Sequence, residues 1–287
     1  MAQAPAATYP HGQANLPAES HASGHAENTS TGLGHRKLLM WTFLGSECMF
    51  FGSLIATYLV YRNQNLNGPY PSEIIDVPIT SLSTFVLLMS SLAMVLALNG
   101  IQRNKPRLGR FWTLMTAALG SVFLFFQVFE FHEFAIHGLT PRTNLFGTTF
   151  FTLTGFHGAH VTLGVVLLLI MAFVFSRSGR EKLGLVLAVS GFYAVGVALL
   201  AHFFKIIPPI VGAPAFVITA LGLAAMAGGG YLLAKPAAVR NVKAVSENLE
   251  ITGLYWHFVD IVWIVIFTVV YLISANDGLG LAQGLGH

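Results

Sequence analysis

The chain has 287 residues, of which 54% are hydrophobic and 9% charged, and its mean hydropathy is +0.67. Soluble domains carry about a quarter charged residues, so the composition excludes a soluble globular enzyme and makes lipid the main solvent. The formal charge of +3 reflects cations gathered in loops and does not indicate nucleic-acid binding, and the lone Cys48 excludes an internal disulfide framework or a cysteine-based metal cluster.

Residues 1–37, rich in Ala, His, Ser, Gly and Pro, show neither a core pattern nor the apolar run of a secretory signal. They read as a disordered cytoplasmic tail. His11, His21, His25 and His35 in it titrate near neutral pH, which suits proton buffering at a membrane surface as well as a tail with no role. A bilayer core of about 30 Å takes roughly 20 helical residues. Seven segments qualify: 38–61, 79–101, 110–136, 146–175, 184–204, 209–234 and 254–274. The predicted fold is therefore all-α, a polytopic bundle of seven transmembrane helices over 38–274, with a short external tail at 275–287. Pro208-Pro209 breaks the chain between the fifth and sixth segments and predicts a helical hairpin at 184–234. Gly191, Gly196, Gly222 and the Gly228-Gly229-Gly230 run in that hairpin suit either close helix approach or flexibility.

Of the fifteen Lys and Arg residues, all but Arg62, Arg142 and Lys205 fall on the tail or on every second loop. By the positive-inside rule this predicts a cytoplasmic N-terminus and an external C-terminus. Anionic lipid is the natural partner of that basic side.

Three stretches carry polar groups at membrane depth: Ser46-Glu47-Cys48-Met49-Phe50-Phe51, Thr154-Gly155-Phe156-His157-Gly158-Ala159-His160-Val161, and Tyr255-Trp256-His257-Phe258-Val259-Asp260-Ile261-Val262-Trp263. Charge there costs at least about 2.5–3.5 kcal/mol, so such groups face protein, a partner or water. Glu130 with Glu133, His157 with His160, and His257 with Asp260 are each three residues apart, which sets both members on one helix face, expected to point inward. Glu47 and Gln127 add hydrogen-bonding capacity. Carboxylates and imidazoles on facing helices raise a di-metal site, but the Glu-x-x-His pairs typical of such sites are absent. Three roles remain for the eight residues: proton exchange by buried carboxylates, hydrogen bonding between helices, and contact with lipid head groups.

The same residues resemble the subunit III of haem-copper terminal oxidases. Ser46-Glu47 with Phe50-Phe51 looks like the family's Ser-Glu helix, and Gln127 with Glu130-Phe131 like its Gln-x-x-Glu-aromatic helix. Residues Phe150 to Val161 match nearly continuously, and Tyr255 to Trp263, with Glu250 five residues before Tyr255, is similar to the last helix. Two departures stand out. The polar tail replaces the two extra N-terminal helices of long members, as in short five-helix bacterial members, and the hairpin at 184–234 occupies a position that ordinarily holds a short connection.

The resemblance implies a bacterial plasma-membrane subunit with no catalytic residue, haem or copper of its own. Haem and copper would lie in subunits I and II, its partners in cytochrome c oxidase. Its work would be to stabilise the catalytic subunit, structural phospholipid and proton uptake, with Glu47, His160 and Arg177 as lipid-binding candidates. The hairpin would contact an additional subunit or cover the face left open by the missing helices. A quinol oxidase or a relative serving nitric oxide reductase is an alternative within the family. Outside it stand an autonomous membrane enzyme with a di-metal site and a proton-coupled transporter, the latter expected to show inverted repeats.

Overall fold

The computed structural model describes residues 34–62, 77–176, 178–203, 212–234 and 242–273. Seven helices follow in order: α1 His35–Tyr61, α2 Val77–Gln102, α3 Pro106–Ile136, α4 Leu145–Phe175, α5 Gly179–Phe203, α6 Gly212–Leu233 and α7 Val242–Ile266, which widens into a π-helical turn at Phe267–Leu272. No strand occurs among the described residues. All but α6 are long and apolar enough to cross a membrane, and α6 contributes a shorter apolar stretch, Val217–Leu233. Most of the His-rich tail, Pro208-Pro209, Arg177 and the C-terminal tail lie outside the described residues.

Local chemistry explains several helix ends. Asn144 caps α4, its side-chain oxygen accepting from the Gly147 N–H at 2.7 Å. Between α2 and α3 the chain reverses at Asn104, whose φ of 56° is a left-handed conformation, while the Lys105 N–H donates to the Gly100 carbonyl at 2.9 Å. That tight turn brings Gly100 against the backbone of Gly109, where a Cβ would lie 2.8 Å from the Gly109 nitrogen.

The core forms where α2, α3, α4 and α7 meet, with α1 laid against α4 and α7. Trp256 of α7 is its central plug, 1% exposed. Its ring fills the space beside Gly120 of α3 and Gly164 of α4, where added Cβ atoms would strike it, and its Nε1–H donates to Ser90 Oγ of α2 at 3.0 Å. One residue thus joins four helices.

The sequence places the start of the last helix at 254, and the structure begins it at Val242. Lys243, Glu247 and Glu250 break the apolar run, yet Val245, Leu249, Thr252 and Trp256 are buried at three- and four-residue spacing, the signature of one buried helical face. Lys37 near the start of α1 donates to Glu250 at 2.6 Å, and Arg36 to Asn248 at 3.3 Å. The beginnings of α1 and α7 therefore share one end of the bundle. So do the start of α3, the start of α5 and the end of α6, because Arg110 lies 3.7 Å from Glu181 and donates to the Leu233 carbonyl at 2.6 Å. Six passes must separate α1 from α7 for this to hold, so α6 runs the depth of the bundle despite its shorter apolar stretch.

Candidate functional site

The polar residues singled out by spacing sort into four positions in the bundle. At the first, α1 meets α4: Glu47 Oε2 lies 3.2 Å from His160 Nε2, each side chain 17% exposed. His160 Nδ1 is 2.7 Å from the Phe156 carbonyl, which only accepts, so Nδ1 donates there. A neutral imidazole then offers Nε2 as an acceptor. That Nε2 faces the Glu47 carboxyl group across the α1–α4 contact. The Tyr255 hydroxyl of α7 donates to the His160 carbonyl at 3.0 Å, and the Phe51 ring packs edge-on to His160 at 5.0 Å. Three helices are tied at this point.

One turn away on α4, His157 is fully buried. It stacks on Trp263 at 4.8 Å and meets the edges of Phe123 and Phe51 at 5.9 and 6.4 Å. Neither ring nitrogen has a hydrogen-bond partner among the described residues. Two buried polar atoms without partners cost about 2–6 kcal/mol together, and three aromatic pairs contribute about 1.5–4.5 kcal/mol, so the ring contacts offset much of the cost. Beside it, the Gln127 side chain donates from Nε2 to the Thr154 carbonyl at 2.8 Å and lies over Gly158, where a Cβ would come 2.7 Å from Oε1. Gly158 is small because an amide crosses above it.

At the third position α2 meets α3: the Thr80 hydroxyl donates to Glu130 Oε1 at 2.8 Å, and Tyr271 of the π-helical turn stands close enough to interact with the same carboxylate. Glu133, one turn on, is partly exposed. At the fourth, α2 meets α7: Ser91 Oγ is 2.6 Å from His257 Nδ1 and also interacts with Asp260, which is 5% exposed. The Trp263 Nε1–H donates to Thr84 Oγ1 at 2.9 Å. Thr80, Thr84, Ser90 and Ser91 form a hydroxyl stripe down α2 that receives α7 and α3. Spacing reasoning passed over this stripe, although four hydroxyl residues within twelve positions of an apolar helix are its legible sign.

The structure brings Glu47 to His160 but does not gather all eight residues into one site. Among the described residues no group of three His, Cys, Asp or Glu side chains converges as metal ligands. Arg110, counted by the sequence reading among loop cations, is instead 3% exposed within α3 and held by Glu181 and Leu233. The chemistry on display is cross-helix locking.

A family model described as cytochrome c oxidase subunit III matches residues 14–208. The chain belongs to the cytochrome c oxidase subunit III family. The matched region holds Glu47, Gln127, Glu130, His157 and His160, while α6 and α7 follow it. The cytochrome c oxidase subunit 3 of Bacillus sp. (strain PS3) is 28% identical over 264 residues, covering 92% of this chain and 98% of the relative. The probable quinol oxidase subunit 3 of Staphylococcus aureus (strain USA300) is likewise 28% identical over 255 residues, covering 87% and 96%.

Proposed function

We propose that this chain is the subunit III of a respiratory haem-copper oxidase in the bacterial plasma membrane, a subunit without a redox centre that stabilises subunits I and II. The observation that carries the reading is the locked core. Trp256 joins four helices and the Glu47–His160–Tyr255 node ties three, so the polar groups at membrane depth serve to fix helix rotation and present a rigid apolar exterior. Residues on that exterior include Leu39, Trp41 and Met49 of α1, all more than half exposed. Such a face suits partner helices and annular lipid.

The twelve Lys and Arg residues that the sequence puts on the N-terminal tail and on every second loop, against three elsewhere, support a cytoplasmic N-terminus and an external C-terminus. Haem and copper belong to the partner subunits in this reading, and structural phospholipid is held at the protein surface, with Glu47 and His160 as candidates and Arg177 outside the described residues. Cytochrome c is the favoured electron donor; the relative named as a quinol oxidase subunit makes quinol the alternative. The test is to purify the native complex through a tag on this chain. Haem and copper spectra should accompany it at a fixed ratio, while omission of the chain should leave the initial oxidase rate and shorten the working life of the enzyme. A tagged chain that carries no haem protein with it would overturn the reading.

A further inference from the structure

The α5–α6 hairpin does not lie flush on the bundle. Between it and α3 runs a cavity of about 560 Å³, within the roughly 300–1,000 Å³ range of ligand pockets. Its walls are apolar: Phe111, Met115 and Ala118 of α3 face Phe192 of α5 and Met226 and Gly230 of α6. The lining of α3 extends from Arg107 to Ser121, about 21 Å at 1.5 Å per residue, against a single leaflet core of about 15 Å. At the far end the Ser121 and Tyr193 hydroxyls are hydrogen-bonded to each other at 2.8 Å, so they leave the slot with no strong polar demand.

The near end is different. Arg107 is exposed and Arg110 is 3% exposed; both line the slot, and their like charges lie close enough to repel. Arg110 uses Nη2 on the Leu233 carbonyl, and its Nη1, 3.7 Å from the Glu181 carboxylate, makes no hydrogen bond. Glu181 neutralises one of the two cations. The second guanidinium and the unused donor of the first remain for an anion, at the depth where α3 and α5 begin and α6 ends.

We propose that this slot binds an anionic phospholipid, one acyl chain lying between α3 and the hairpin and the phosphate held by Arg107 and Arg110. Charge, depth and length select this occupant: paired guanidinium groups at the helix ends recognise a phosphate, and an apolar channel one leaflet deep fits its tail. The site is separate from Glu47 and His160, which are engaged with each other on α1 and α4. It rests on the reading of the chain as a membrane oxidase subunit only for the complex in which it is tested.

The experiment uses the purified oxidase complex, stripped of lipid in detergent, incubated with phosphatidylglycerol or phosphatidylcholine, and washed. Retained phosphorus is counted per copy of this chain, and haem is scored separately, so a chain without haem counts against the proposed function and not against the site. The native chain should retain one more phosphatidylglycerol than phosphatidylcholine. Gly230→Leu should abolish that extra lipid: Gly230 lines the slot and a Cβ there meets nothing within 4 Å, so the substitution is directed at the open space of the slot. Arg107→Gln should keep a lipid but reduce the preference for the anionic head group at least threefold. Equal retention in the native chain and Gly230→Leu, or equal retention of the two lipids by the native chain, would overturn the proposal. Release of an isoprenoid quinone from the native chain, lost in Gly230→Leu with phosphorus unchanged, would overturn it in favour of a different ligand.

Discussion

The four-helix core and the α5–α6 hairpin solve one problem in two ways. Lipid tails are as apolar as leucine, so helices in a membrane associate through packing and hydrogen bonds and not through escape from water. The core uses large rings and hydroxyl partners: Trp256 on Ser90, Trp263 on Thr84, His157 stacked on Trp263. The hairpin uses absent side chains. At Gly191 a Cβ would collide with the Gly222 carbonyl, and at Gly229 with the Gly184 carbonyl, so the two backbones touch where neither residue has a side chain. Of the triple glycine only Gly229 is used in this contact; Gly228 and Gly230 face open space. Ring-and-hydroxyl packing fixes several helices at once, whereas the glycine contacts at Gly191, Gly222 and Gly229 fix only α5 to α6, and the pair reaches α3 through fewer points: Gly196 on the Phe125 ring, Tyr193 on Ser121, and Arg110 on Glu181 and Leu233. The slot along α3 is the consequence.

The largest effect is expected where the core converges. Trp256→Ala removes the plug between Gly120 and Gly164 and the bond to Ser90, opening a cavity whose cost is on the order of 3 kcal/mol. The thermal midpoint of the subunit in the detergent-solubilised complex should fall by several degrees and the subunit should be lost on purification. A complex of native stability would show that the core is not held at this ring. Next, Gly191→Leu should force α5 from α6 at a cost of about 1–3 kcal/mol and expose the hairpin to protease. The core should stay protected and haem should still co-purify. Collapse of the whole complex would erase the distinction between the two regions.

How much of this was legible in the sequence varies with the kind of contact. Apolar length alone placed the helices, and three-residue spacing found residues at every polar position of the core. Spacing shows which residues share a face of one helix, and it carries no information about the opposite helix. Glu47 and His160 are 113 positions apart in sequence and 3.2 Å apart in space, and nothing in either motif names the other. The start of α7 was missed because a half-buried helix leaving the membrane carries charges such as Lys243 and Glu247, which end an apolar window but not a helix. Sequence alone counts Arg110 among the loop cations because its burial depends on Glu181, a carboxylate on a different helix.

A moderate effect is expected at the node of α1 and α4. In a double-mutant cycle with Glu47→Ala and His160→Ala, the coupling should be near the membrane average of about 0.6 kcal/mol and no more than about 1.7 kcal/mol. Thermal unfolding of the complex in detergent measures it. Coupling of zero would mean that the 3.2 Å contact is incidental and that Tyr255 and Phe51 hold His160 by themselves.

The smallest effect belongs to the pair that joins the first and last helices. Lys37 Nζ is 2.6 Å from Glu250 Oε1, with the side chains 31% and 36% exposed, so solvent and salt screen the attraction. Lys37→Met should lower stability by less than about 1 kcal/mol, and the difference from the native chain should shrink further in high salt. The same variant separates the two kinds of packing once more. Lys37 lies at the rim, whereas Leu249, one residue before Glu250, is fully buried against the core, so α7 is seated by its apolar face and the ion pair only trims its register. If Lys37→Met instead released the 242–253 segment to rapid amide exchange, the early start of α7 would depend on the ion pair, and the buried face of Val245, Leu249 and Thr252 would be a result of that pairing and not its cause.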